Sequence, residues 1–313
     1  MSKLPFQMAH VGIPPIKCQG IKTRLVPFIF NSIQWDGSSG ARWIEPFLGS
    51  GVVALNLAPE RALLADTNRH IIGFYEAIQR GEIDRATVRE FLIVEGKKLA
   101  MRGEEYYYEV RERFNAEGSP LDFLFLNRSC FNGVMRFNSQ GKFNVPFGHK
   151  PQRFSAAYIT KIVNQVGWVA KQMRGKDWEF RVAAWDETLS CAQPQDFVYL
   201  DPPYVGRHTD YYNSWDEAEA KKLASVVGKL PCGFAVSMWL ENRYRKNTHI
   251  EDCWSGLEVR VCSHFYHVGS TESLRNEMDE ALVIKPGFAT SEKGKQFSKK
   301  PRVGLQMSFA MES

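Results

Sequence analysis

"RWIEPFLGSGVVALNLA" occupies residues 42–58, and "RALLADTN" follows at 61–68. The first stretch opens with strand-forming residues, turns through Gly49 and Gly51, and continues as a helix carrying Val52, Val53, Leu55 and Asn56. The second is a short apolar strand that ends in an acid, Asp66. Strand, glycine turn, helix, strand and acid in that order begin a nucleotide-binding α/β sheet. The glycine pair is not the full GxGxxG fingerprint, so a turn with structural glycines remains the plain reading of this stretch alone.

Working outward, residues 71–116 change character. "IIGFYEAIQRGEIDRATVREFLIVEGKKLA" and "EEYYYEVRERFN" place apolar residues three and four apart, which predicts helices, with Tyr106, Tyr107 and Tyr108 as core. "LDFLFLNRSCFNGVMRFNSQGKFNVPFGHKP" (121–151) carries Asn-Gly and Ser-Gln-Gly turn signals and reads as a β-hairpin with a long loop. Alternation of helix and strand resumes after Phe154: a helix over 156–173, a strand "EFRVAAW" ending near Trp185-Asp186, and a strand ending at Asp201. A helix over 214–229, a strand "CGFAVSMW" and a closing strand "EALVIKPG" complete the series. The expected organisation is a discontinuous α/β domain (1–70 and 155–287), an insertion (71–154) and a loosely ordered basic tail (288–313).

The strand before Asp201 stops in "YLDPPY" (199–204). Two prolines fix φ and remove two N–H donors, so the turn is stiff and its carbonyls stay free to accept hydrogen bonds. Such a turn at the carboxyl end of a sheet strand lies where open α/β sheets bind ligands. A carboxylate, a free carbonyl and a flat ring suit a flat substrate that carries an NH2 group.

Bulk properties narrow the partners. The chain has 313 residues, 44% of them hydrophobic and 24% charged, an ordinary globular mixture. No apolar run reaches membrane-spanning length, and a cytoplasmic location is expected. Six scattered cysteines fit a reducing compartment, and the spacing of Cys253, Cys262, His264 and His267 does not support a zinc site, so no metal is assigned. The net charge of +5 gathers at Lys171, Arg174 and Lys176, at Arg243, Arg245 and Lys246, and in "KGKQFSKKPR" (293–302), which favours an anionic partner.

Four blocks together resemble the Dam-like, D12-class DNA adenine-N6 methyltransferases: "IKCQGIKTRLVPFI" (16–29), "EPFLGSGVVALN" (45–56), "LNRSCFNGVMRFNSQGKFNVPFG" (126–148) and "DPPY" (201–204). The resemblance implies a seven-stranded, mostly parallel methyltransferase sheet with an inserted DNA-recognition domain. It also implies S-adenosylmethionine as cofactor, double-stranded DNA as partner, and transfer of a methyl group to adenine N6 at a short GATC-type or other GA-containing site. The base would flip out of the duplex to reach the site. A monomer is expected, and a separate cognate restriction endonuclease is a compatible partner.

By that resemblance Asp201, Pro202, Pro203 and Tyr204 are catalytic. Asp201 and the Pro202 carbonyl would accept hydrogen bonds from N6–H, and Tyr204 would stack on the base. Lys22, Phe47, Gly49, Gly51, Asp66, Trp185, Asp186 and Asp201 form the cofactor group, with Trp185 and Asp186 lining its adenine pocket. A core tryptophan beside a surface acid is the competing reading of that pair. Asn127, Arg128, Phe131, Asn132, Val134, Arg136, Asn144, Pro146 and Lys150 would meet DNA, Arg136 reading guanine with its bidentate fork. Phe131 would wedge into the stack and Pro146 press on a thymine methyl, although both also suit packing. Lys142 and Arg153 would join Lys150 on phosphates. Cys18 and Gln19 stand where the family often has Trp-Ala. The alternatives left open are a non-catalytic DNA-binding relative, or methyl transfer to RNA or to cytosine N4.

Overall fold

The computed structural model describes residues 3–38, 40–204, 215–242, 249–265 and 277–291. The basic clusters at 243–246 and 293–302, and His267, lie outside them. β1 (Trp43–Glu45), β2 (Arg61–Asp66), β3 (Asp177–Val182), β4 (Phe197–Leu200) and β5 (Gly233–Asn242) are parallel neighbours. β7 (Glu277–Ile284) runs antiparallel between β5 and β6 (Glu258–Phe265), giving the order β3-β2-β1-β4-β5-β7-β6.

The central strands are apolar along their whole length because both faces are covered. Trp43, Leu64, Phe197 and Tyr199 face one core, with α1 (Val26–Ser32), α2 (Val52–Leu57), α3 (Arg69–Gln79) and α7 (Ala156–Met173). Their strand neighbours Ile44, Leu63, Val198 and Leu200 face the other, with α8 (Trp185–Ser190), α9 (Glu217–Val227) and α10 (His249–Cys253). This two-residue alternation is the pleat of a sheet sandwiched between helices. The helix after β1 and the helix after β4 therefore leave on opposite faces, so a crevice opens between the carboxyl ends of these adjacent strands. At the opposite ends of the same strands Arg42 ties them together. Its backbone N–H donates to Asp196 Oδ1 at 2.8 Å, and its Nη2 to Asp196 Oδ2 at 2.7 Å.

Residues 80–130 form α4 (Arg85–Arg102), α5 (Glu104–Glu117) and α6 (Pro120–Ser129). Arg113 joins them, donating to Glu95 at 2.8 Å and to Asp122 at 2.8 Å, while the Tyr106 hydroxyl donates to Glu95 at 2.6 Å. Tyr106 and Tyr107 are buried, as expected.

The structure corrects four local expectations. Residues 121–129 are helix α6 and not the first arm of a hairpin: Pro120 opens the helix, which is buried nearly all round, and its short apolar run Phe123 to Leu126 does not by itself separate a helix from a buried strand. The hairpin is confined to 130–147, closed by bridges at Cys130–Phe147 and Phe137–Phe143. β3 ends at Val182, so Trp185 and Asp186 begin α8. β6 and α10 were not expected, and Phe288–Thr290 is not loose: Phe288 O accepts from Gln34 N–H at 2.7 Å, and Ala289 bridges Ile33. Among the described residues no helix is long and apolar enough to cross a membrane.

His70, at the start of α3, fastens the hairpin to this frame. Its ring stacks on Phe137 with centroids 5.3 Å apart and packs on Phe114 at 4.6 Å. Burial and then Arg69 push its pKa down to about 4. An unfolded chain therefore binds this proton first, and stability falls as pH drops from the ordinary histidine range of about 6.5 towards 4. The melting midpoint of His70→Phe, which keeps the stack without the charge, should fall less over that window than the wild type's. Parallel curves would contradict the placement.

Candidate active site

Asp201 leaves the end of β4 at the crevice. Its Oδ1 lies 2.9 Å from the Lys22 ammonium, whose side chain is 3% exposed. Lys22 also donates to the Gly20 carbonyl at 3.1 Å and sits 4.9 Å from the centroid of the Tyr204 ring. The Tyr204 hydroxyl donates to Glu280 Oε2, on β7, at 2.8 Å. Burial raises the Asp201 pKa, Lys22 opposes the rise, and Glu280 adds to it. Carboxylate and aromatic ring thus lie together at the turn, and Lys22 brings an ammonium that "DPPY" does not contain.

The neighbouring strands supply the rest of the crevice. After β1 the chain passes Phe47, which meets Trp215 edge-on at 5.6 Å. Gly49 and Gly51 adopt φ of +50° and +66°, the left-handed region that side chains disfavour. Asp66, at the end of β2, accepts from Gly49 N–H at 2.9 Å and from Asn68 N–H at 2.8 Å. Each carboxylate oxygen has a second lone pair for a ligand. Burial raises the Asp66 pKa. The Cys18 thiol is raised too, by burial first and then by the Asp66 and Asp201 carboxylates, so Cys18 lies within reach of both acids. Glu45 was not singled out from sequence. Burial pushes its pKa up to about 8, and Trp43 Nε1 donates to it at 2.6 Å. Its signal was an acid at the end of a wholly apolar strand.

Trp185 and Asp186 are engaged elsewhere. Trp185 packs in the second core and donates to Glu219 at 3.0 Å, and Lys222 of α9 pairs with Asp186 at 2.8 Å.

The hairpin divides the expected DNA residues into two groups. Asn127 is fully buried, and its side chain clamps both backbone groups of Lys17, accepting from N–H at 2.8 Å and donating to the carbonyl at 2.9 Å. Arg128 is 5% exposed, bonded to Gln165 and stacked on Tyr158. Both are structural because α6 is buried, and neither is presented to DNA. Phe131, Asn132, Pro146 and Lys150 are exposed, while Val134, Arg136 and Asn144 are half-buried. Asn132 takes φ of +53° in a short turn over Phe131–Gly133. Arg136 donates through Nε to Asn144 at 3.0 Å, which holds its guanidinium. Lys142 is exposed at the tip, whereas Arg153 donates to the Tyr158 hydroxyl at 2.8 Å and packs over its ring. Lys17 joins this basic group. Burial, then Arg153 and Arg128, lower its pKa to about 8.

The chain can now be set beside known proteins. A family model described as D12 class N6 adenine-specific DNA methyltransferase matches residues 19–271. A DNA adenine methylase of Vibrio cholerae is 29% identical over 254 residues, covering 77% of this chain and 86% of that protein. One from Serratia marcescens is 31% identical over 209 residues, covering 64% and 73%. One from Escherichia coli K12 is 28% identical over 262 residues, covering 80% and 88%.

The clamp gives the first test of this sorting. Asn127→Ala leaves two partly buried backbone groups of Lys17 without this partner, at a cost of up to about 1–3 kcal/mol each. Denaturant unfolding should show a loss of that order, with unchanged sequence preference in whatever DNA binding remains. A stable variant with altered preference would return Asn127 to the DNA interface.

Proposed function

The chain belongs to the D12 class of N6 adenine-specific DNA methyltransferases, and from that premise we propose how its site acts. Adenine N6 in duplex DNA is the acceptor. The cofactor is S-adenosylmethionine, held in the crevice between β1, β2 and β4. The observation that carries this reading is the Lys22–Asp201–Tyr204 cluster at the strand-order reversal, an N–H donor 2.9 Å from a carboxylate and close above an aromatic face.

The donor set fits the cofactor. Asp66 has acceptor capacity for ribose hydroxyls, the Gly49–Gly51 turn lets backbone approach the ligand, and the acids around Cys18 favour a cation. S-adenosylmethionine supplies, when bound, a methyl group already activated on a sulfonium. The protein's task is then to place N6 in line and to enrich its lone pair. Lys22 holds the acceptor Asp201 where the amino group would be, so entry of adenine exchanges one N–H donor for another. Asp201 and the Pro202 carbonyl accept from N6–H and favour the pyramidal nitrogen, in fixed geometry that needs no reorganisation. Asp201 is also the nearest acceptor for the proton that N6 releases, and the upward push of burial suits it to that role.

The base reaches this pocket by leaving the stack, with Tyr204 restoring contact worth about 1–3 kcal/mol. Helices α4 to α6 and the hairpin form the DNA-facing unit. Phe131 lies beside the exit of the base, and Arg136 reads guanine with its Nη groups while Asn144 keeps its Nε. A GATC-type site, methylated one strand at a time by a monomer, fits this arrangement, and a separate endonuclease that reads the same site is compatible with it.

Purified protein, S-adenosylmethionine and duplexes with or without GATC test the reading by nucleoside mass spectrometry. N6-methyladenine should appear in the first duplex, without N4-methylcytosine. Arg136→Ala should lose about 1–3 kcal/mol of discrimination at the guanine. Methylation spread equally over both duplexes by the wild type would refute the site, and an unchanged preference in the variant would refute the role of Arg136.

A further inference from the structure

β7 runs against its neighbours, so its first residues lie at the carboxyl edge of the parallel strands, beside the turn that follows β4. Glu280 is in this part of the strand, paired with Trp239 on one side and Cys262 on the other. The pleat sets it on the same face as Leu282 and Ile284, which belong to the core, and it is 1% exposed. A carboxylate at such a position costs free energy unless it is hydrogen-bonded. It accepts from the hydroxyl of Tyr204, the last residue of "DPPY", at 2.8 Å. Its charge also reaches Asp201.

We infer that Glu280 is a positioning residue for methyl transfer, fixing the Tyr204 ring in the plane on which the acceptor base stacks. The two prolines settle the backbone of the turn only as far as Pro203, and the orientation of the next side chain needs a separate hold. Glu280 supplies it from the sheet, the most rigid part of the molecule, while Lys22 lies over the ring. A ring ordered before the base arrives loses no rotamer freedom when the base stacks. The inference rests on the proposed role of Tyr204 at the base.

A double-mutant cycle tests it, with kcat and KM measured on duplex DNA and melting midpoints recorded alongside. Glu280→Ala and Tyr204→Phe each remove the same hydrogen bond. Each should lower kcat about tenfold, the order expected for a hydrogen bond to a charged group. KM for DNA should stay within about twofold, because phosphate contacts dominate affinity. The double variant should be no worse than either single one, and Glu280→Gln, which still accepts from the hydroxyl, should stay within about threefold of wild type.

Losses that add in the double variant overturn the inference. So does a Glu280→Gln as defective as Glu280→Ala at an unchanged melting midpoint, or a fully active Tyr204→Phe. If Glu280→Ala does not fold, Glu280→Gln and Tyr204→Phe decide on the same terms. An inactive wild type refutes the reading of the reaction and the inference with it, whereas an active wild type with additive losses refutes the role of Glu280 alone.

Discussion

β1 and β4 lie side by side while the helices that follow them, α2 and α9, pack on opposite faces of the sheet. The chain cannot cover the ends of both strands when it leaves them in opposite directions, and the resulting crevice is where every group of the site collects. The Gly49 turn enters from β1, Asp66 from β2 and Asp201 from β4. The antiparallel β7 adds Glu280 to the same edge. Arg42 and Asp196 fasten the two strands at their far ends as well.

Charge is the second constraint. Among the described residues, four acids, Glu45, Asp66, Asp201 and Glu280, gather at the crevice with one buried ammonium, Lys22. Burial pushes the first three towards the neutral form, and hydrogen bonds from Trp43, Gly49, Asn68 and Lys22 act against it. Such a crevice disfavours a further anion and favours a cation, which suits the proposed sulfonium cofactor. The proposed DNA surface is a different one, formed by the exposed Lys142 and Lys150 of the hairpin segment and by Lys17 with Arg153 beside it.

Much of this frame was legible in the residues. Strands covered on both faces read as continuous apolar runs, and glycines at positive φ marked the turn before α2, so β1, α2 and β2 stood out. "DPPY" was legible because two prolines after a strand leave few conformations open. The misreadings share a cause: burial is set by tertiary packing. α6 looked like a strand because its apolar run Phe123 to Leu126 is too short to show a helical period, and Asn127 and Arg128 passed for DNA contacts because their partners, Lys17 and Gln165, lie far off in sequence. Trp185 and Asp186 read as the end of a strand, whereas β3 ends at Val182 and the pair opens α8 against α9. Glu280 carried no local signal, since only the reversed direction of β7 brings it to Tyr204.

The most direct test of the account is sequencing that detects modified bases, applied to plasmid DNA from a bacterial host without adenine methylation that expresses either the wild-type chain or Asp201→Ala. N6-methyladenine is expected at one short GA-containing motif with the wild type and none with the variant, although the variant still binds DNA. Equal modification with both chains would contradict the central claim, that the carboxylate held by Lys22 at the end of β4 is the centre of the reaction.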